Sequence, residues 1–145
     1  MTRVLYPGSF DPITKGHMDI IDKALGLFSE VVIAIMQNPN KKNKNIKVII
    51  GNFATVDVAI CNNCQGIIRG VRSFTDFDYE ILMQQINKEI SNNKINTICL
   101  FADKEYQYIS SSVVKEVFSL GKDISKYVDS YVQQKMFENG EINER

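Results

Sequence analysis

Apolar residues along this chain come in short runs that alternate between two spacings. Val4-Leu5-Tyr6 is a brief continuous run stopped by Pro7-Gly8. Met18, Ile21, Leu25 and Phe28 then recur three or four residues apart, the repeat of one helical face. Val31-Val32-Ile33-Ala34-Ile35-Met36 is apolar at every position and largely β-branched, which suits a strand buried on both sides of a parallel sheet. Residues 46–50 predict a third strand, 53–60 a helix and 66–69 a fourth strand. A helix over residues 76–91, a fifth strand over 95–101 and helices over 111–120 and 124–137 complete the order. This alternation predicts an α/β fold: a Rossmann-like, doubly wound sheet of about five parallel strands, with helices on both faces and C-terminal helices.

One connection breaks the pattern. Only nine residues, among them Asn38-Pro39-Asn40-Lys41-Lys42, separate Met36 from Ile46. A parallel crossover needs about a dozen or more. Either these two strands form a hairpin, or a helical segment near residues 42–45 is absent from the sequence.

The length of 145 residues allows a single domain over 1–145. Hydrophobic residues at 44% and charged residues at 23% exclude a disordered or fibrous chain. Seventeen Lys+Arg balance seventeen Asp+Glu, so no global field draws the protein to nucleic acid or to an anionic membrane. The longest apolar run is six residues, against about 20 for a membrane span, and the N-terminus enters a strand without a signal-peptide pattern. A cytoplasmic location is expected. Cys61-Asn62-Asn63-Cys64 is a CxxC, but it follows a helix and precedes a strand, the reverse of a thioredoxin arrangement. The other candidate zinc ligands, Cys99 and His17, are distant in sequence, so two incidental thiols at a helix end are expected.

In an open parallel sheet, ligands sit beyond the carboxyl ends of the strands where strand order reverses. The polar residues of this chain collect at those ends: 8–17 after the first strand, Lys41-Lys42 after the second, Arg69-Gly70-Val71-Arg72 after the fourth, and 103–112 after the fifth. A multiply charged anion such as a nucleotide phosphate chain is the natural occupant. His17, following Gly16 at a helix start, stands where free N–H groups and the helix dipole favour an anion. Each group also has a plainer use. A histidine at a helix start can be structural, Ser110-Ser111-Ser112 can be an N-cap, Arg69 and Arg72 can be surface ion-pair partners, and Lys41-Lys42 a solvated loop.

The run Gly8-Ser9-Phe10-Asp11-Pro12-Ile13-Thr14-Lys15-Gly16-His17 resembles the G-x-F-D-P-x-T-x-G-H signature of the nucleotidylyltransferase superfamily. The stretches IRGVRSFTDFDYE and YISSSVVKE, with N-P-N-K-K, are similar to those of bacterial phosphopantetheine adenylyltransferases, and the similarity runs from Val4 to the final helices. The resemblance implies transfer of the adenylyl group of ATP to 4′-phosphopantetheine, giving dephospho-coenzyme A and pyrophosphate. Mg²⁺ is the implied cofactor, carried by the ATP phosphates and not by protein side chains. Residue by residue, it implies that His17 stabilises the transition state and that Lys41 and Arg69 hold the pantetheine phosphate. It implies ATP contacts from Ser9, Phe10, His17, Gly70, Val71, Arg72 and Glu80, and from the loop Tyr106, Gln107, Tyr108, Ile109, Ser110, Ser111 and Ser112. Ser9 also matches a position that contacts both substrates, and Thr55 stands near the pantetheine arm where the family usually has leucine. The family assembles as a homohexamer, a dimer of trimers, for which Phe77, Tyr79 and Met83 are candidate interface residues. Family members also carry a helix directly after the P-x-K-K stretch. A segment of roughly 15–20 residues is therefore expected to be missing from the sequence as given, with a true deletion as the rival.

The residue types suit that chemistry. The attacking phosphate is already ionised at pH 7 and pyrophosphate is a stable anion, so neither a strong base nor a strong acid is required. What remains is to align two polyanions and neutralise charge on the α-phosphoryl oxygens. A sister enzyme using another phosphate acceptor, and a non-catalytic relative if residues are truly deleted near 42–45, are the competing readings.

Overall fold

The computed structural model describes residues 2–35, 46–51 and 54–143. Its elements run β1 (Arg3–Gly8), α1 (Lys15–Leu27), β2 (Glu30–Ile35), β3 (Ile46–Ile50), α2 (Thr55–Cys61), β4 (Gly66–Val71), α3 (Phe74–Ile90), β5 (Asn96–Phe101), α4 (Ser111–Ser119) and α5 (Ser130–Asn143), with a 3₁₀ turn at Lys104–Tyr106. The five strands form one parallel sheet in the order β3-β2-β1-β4-β5. The expected doubly wound Rossmann-like architecture is therefore present.

The strand pleat sorts the core into two layers. Val4 and Tyr6 of β1, Val31 and Ile33 of β2, and Ile68 of β4 meet Ile20, Ile21 and Ala24 of α1 on one face. Their sequence neighbours Leu5, Val32 and Ile67 meet Val56, Val58 and Ala59 of α2 on the other. This is the period-two alternation of strands covered on both sides. A third apolar cluster, built on Ile109, Val114, Ile124 and Val128, packs α4 and α5 together.

β2 and β3 pair in parallel, with Val31 beside Ile46 and Ile35 beside Ile50, so they do not form a hairpin. The connection, residues 36–45, lies outside the described residues, as does the expected helical segment near 42–45.

The final helix also departs from expectation. It begins at Ser130 and not at 124. Ile124 and Val128 are buried in a single turn closed by Tyr127 N–H and Val128 N–H on the Ile124 carbonyl. Asp123 accepts from Ser125 N–H and Asp129 from Tyr131 N–H, and these local turns compete with a continuing helix. One buried turn has the same i, i+4 spacing as a helix face. The helix expected at 53–60 runs Thr55–Cys61, Phe53 being outside the described residues, and α3 begins at Phe74, where Ser73 caps it through Asp76 N–H.

Candidate active site

The chain steps outward from β1 to β2 and β3, then returns across the sheet to β4 and β5, so the switch point lies between β1 and β4. Those strands pair only at Val4–Gly66 and Leu5–Ile67, whereas β1 and β2 pair along their whole length. Pro7 has no N–H to give the ladder, and beyond Leu5 the strands part. The gap is a cavity of about 300 Å³ lined by the β1 end (Tyr6, Gly8, Ser9, Phe10), the α1 start (Thr14, Gly16, His17), the β4 end (Arg69, Gly70, Arg72) and Ile109, Ser110 and Ser111.

The first loop is shaped around Phe10. Phe10 lies at φ 47, a left-handed conformation that costs a bulky residue about 1–2 kcal/mol. Its ring folds back over Gly8, where a Cβ would stand 3.0 Å from Phe10 Cζ, and it packs edge-on against Tyr6 at 5.2 Å and His17 at 4.9 Å. This accounts for the Gly-x-Phe spacing.

His17 is held by the helix cap. The Thr14 N–H donates to His17 Nδ1 at 3.0 Å, and His17 N–H donates to Thr14 Oγ1 at 3.3 Å. Burial, aided by the Arg72 charge, pushes the His17 pKa down to about 4. The ring is therefore neutral at pH 7. With Nδ1 accepting, its hydrogen sits on Nε2. Gly16 lies against the carbonyls of Tyr106 and Ile109, each 3.6 Å from where its Cβ would be, so this glycine seats the α1 start against the later loop.

Two arginines extend from β4. Arg72 donates to the Ile109 carbonyl at 3.0 Å and pairs with Asp76, tying the 109 loop to the start of α3. Arg69 Nε donates to Glu80 at 2.8 Å; Glu80 is 5% exposed and is the buried residue of α3. Arg69 also lines a second cavity, of about 140 Å³, with Pro7, Thr55, Ile67, Tyr79, Glu80, Met83 and Asn87.

The structure thus gathers Ser9, Phe10, His17, Arg69, Gly70, Arg72, Ile109, Ser110 and Ser111 around one cavity. Thr55 and Arg69 share the other. Glu80, which the resemblance groups with ATP, faces this second cavity and not the one holding His17. Val71 is buried, and Tyr106, Gln107, Tyr108 and Ser112 do not line the first cavity. Lys41 lies outside the described residues. Ser110 is the N-cap of α4, accepting from Val113 N–H, and Ser111 donates to the Pro12 carbonyl. The sequence reasoning missed Tyr6, Thr14, Tyr79, Met83 and Asn87 as lining residues; the Tyr-Pro-Gly end of β1 was the available signal for Tyr6.

The cytidylyltransferase-like family model matches residues 5–57. A phosphopantetheine adenylyltransferase of Finegoldia magna is 41% identical, over 88% of this chain and 89% of its own length. The chain belongs to the phosphopantetheine adenylyltransferase family. Another member, from Vesicomyosocius okutanii, is 40% identical over 89% of this chain and 92% of its own length. A Vibrio parahaemolyticus structure assigned as a nicotinate-nucleotide adenylyltransferase superposes with TM-score 0.69 at 15% identity, covering 97% of this chain and 94% of that one, which shows a shared fold.

Proposed function

We propose that this member of the family transfers the adenylyl group of ATP to 4′-phosphopantetheine, giving dephospho-coenzyme A and pyrophosphate. The observation that carries the reading is that two cavities meet at one guanidinium. The larger, with His17 and the starts of α1 and α4, suits a nucleotide triphosphate; the smaller, with Tyr79, Met83 and Asn87, suits the pantetheine arm. Arg69 lines both, where the acceptor phosphate and the α-phosphate would come together.

An acceptor phosphate oxygen forms the new bond to the α-phosphorus as the bond to the β-phosphate oxygen breaks, and pyrophosphate leaves with that electron pair. No proton need move. Arg69, with Lys41 as its expected partner, offsets repulsion between the anions. His17 Nε2–H donates to charge gathering on the α-phosphoryl oxygens. Mg²⁺ enters with the ATP phosphates as part of the substrate. No helix among the described residues is long and apolar enough to cross a membrane, which agrees with a cytoplasmic site of action. A homohexamer is supported by α3, which leaves Phe74, Phe77, Tyr79, Ile81, Leu82, Ile86 and Ile90 exposed.

The small number of residues between the parallel strands β2 and β3 favours a second reading, a nucleotide-binding relative without transfer activity. Pyrophosphate release from MgATP, with and without 4′-phosphopantetheine, separates the two. Release that depends on the acceptor, with dephospho-coenzyme A appearing in step, is expected. ATP binding without release would favour the second reading.

A further inference from the structure

Tyr6 has a place in the site that none of the roles above uses. Its ring is buried on the α1 side of β1, 5% exposed, held edge-on by Phe10 and packed among Ile20, Ile68 and Ala102. Its hydroxyl has no hydrogen-bond partner among the described residues, although a buried hydroxyl normally finds one. It is not sealed away either: the enclosed, unpartnered side-chain atoms among those residues are Arg3 Nε and Thr97 Oγ1. The hydroxyl opens instead onto the cavity that Tyr6 lines with His17, Arg69, Gly70 and Arg72.

Gly70 keeps that opening clear. A Cβ there would lie 3.6 Å from Tyr6 Oη and 3.0 Å from Ile20 Cγ1, so a side chain on residue 70 would crowd the hydroxyl's exit from the core. Burial raises the Tyr6 pKa, outweighing the nearby Arg69 and Arg72 charges, so the group remains an O–H donor at neutral pH. Its position in the lining decides which substrate it faces. Tyr6 projects to the α1 face and lines the larger cavity, not the smaller, whereas Pro7, one residue on, borders both.

We propose that Tyr6 is a nucleotide-binding residue, its hydroxyl donating a hydrogen bond to a ribose or phosphate oxygen of ATP at the floor of the crevice between β1 and β4. The inference rests on the reading of the larger cavity as the ATP site. Tyr6→Phe removes the hydroxyl and keeps the ring that packs on Phe10. By calorimetry with a non-hydrolysable MgATP analogue, the variant should bind about 3- to 10-fold more weakly, the range for one neutral hydrogen bond. Its affinity for 4′-phosphopantetheine and its melting temperature should stay at the wild-type values. Repeating the titration with 2′-deoxy and 3′-deoxy nucleotides locates the acceptor: a penalty that vanishes with one of them marks that ribose hydroxyl, and a penalty that persists marks a phosphate.

Equal nucleotide affinity in variant and wild type overturns the proposal. So does equal weakening of both ligands, or a fall in melting temperature with nucleotide affinity intact, which would mark a structural hydroxyl. Wild-type protein that binds no nucleotide overturns the ATP-site reading along with it.

Discussion

At the residue scale, the fold changes the protonation chemistry of His17 in the range around neutral pH. An exposed imidazole is half protonated near pH 6.5, whereas burial holds this one neutral to about pH 4, with its hydrogen on Nε2. His17 is the protein's sole histidine, so a long-range ¹H–¹⁵N spectrum reads it without assignment. The ring should remain the Nε2–H tautomer down to pH 5; a midpoint near 6.5 would show it to be solvated. The sign for stability follows. The unfolded chain takes up a proton below pH 6.5 and the folded chain only near pH 4, so the contribution is complete above pH 6.5 and lost as pH falls. At pH 5 the loss is on the order of 2 kcal/mol, and His17→Gln should flatten this part of the stability–pH curve. For transfer itself, His17→Ala should lower kcat by about two orders of magnitude or more with little change in KM, the pattern for a donor engaged mainly in the transition state. Wild-type turnover in that variant would remove His17 from the mechanism.

At the element scale, secondary structure does the positioning. The Thr14 cap starts α1 and aims His17 in the same few bonds. Thr14→Ala should cost about 1 kcal/mol as a lost cap, read by chemical denaturation, and Thr14→Ser should recover most of it. Helix α3 carries Glu80 to Arg69 across the second cavity. Glu80→Ala leaves that guanidinium unbraced and should raise KM for 4′-phosphopantetheine about tenfold or more, given roughly 1.5–3 kcal/mol for a hydrogen bond between charged groups. A rise confined to KM for ATP would instead return Glu80 to the nucleotide group implied by the family resemblance. The cysteines need no such role. Cys61 is exposed at the end of α2, while Cys64 is buried and its thiol pushed up to about 11, chiefly by burial.

At the scale of the whole molecule, α3 is out of proportion to a monomer's needs. Of its residues Glu80 is the buried one, and a row of aromatic and aliphatic side chains from Phe74 to Ile90 faces outward beside the exposed Phe101. Burial of this surface is what the proposed hexamer would supply. Sedimentation should show a wild-type hexamer, and Leu82→Glu a smaller species. A monomeric wild type would sink the assembly.

The order of strands and helices was legible along the chain because burial on both faces makes the strands continuous apolar runs, while one buried face gives α1 a repeat near 3.6. The Gly8–His17 run was legible because its spacing is set locally, by a folded-back Phe10 ring and a helix cap. The start of α5 was not, since one buried turn at Ile124 and Val128 has the spacing of a helix while Asp123 and Asp129 bind their own backbone. Nor was the parting of β1 from β4, the partnership of Arg69 with Glu80, or the hydroxyl of Tyr6 opening into the crevice. These join segments far apart in sequence. No local propensity or spacing encodes such meetings; packing the two faces of the sheet decides them.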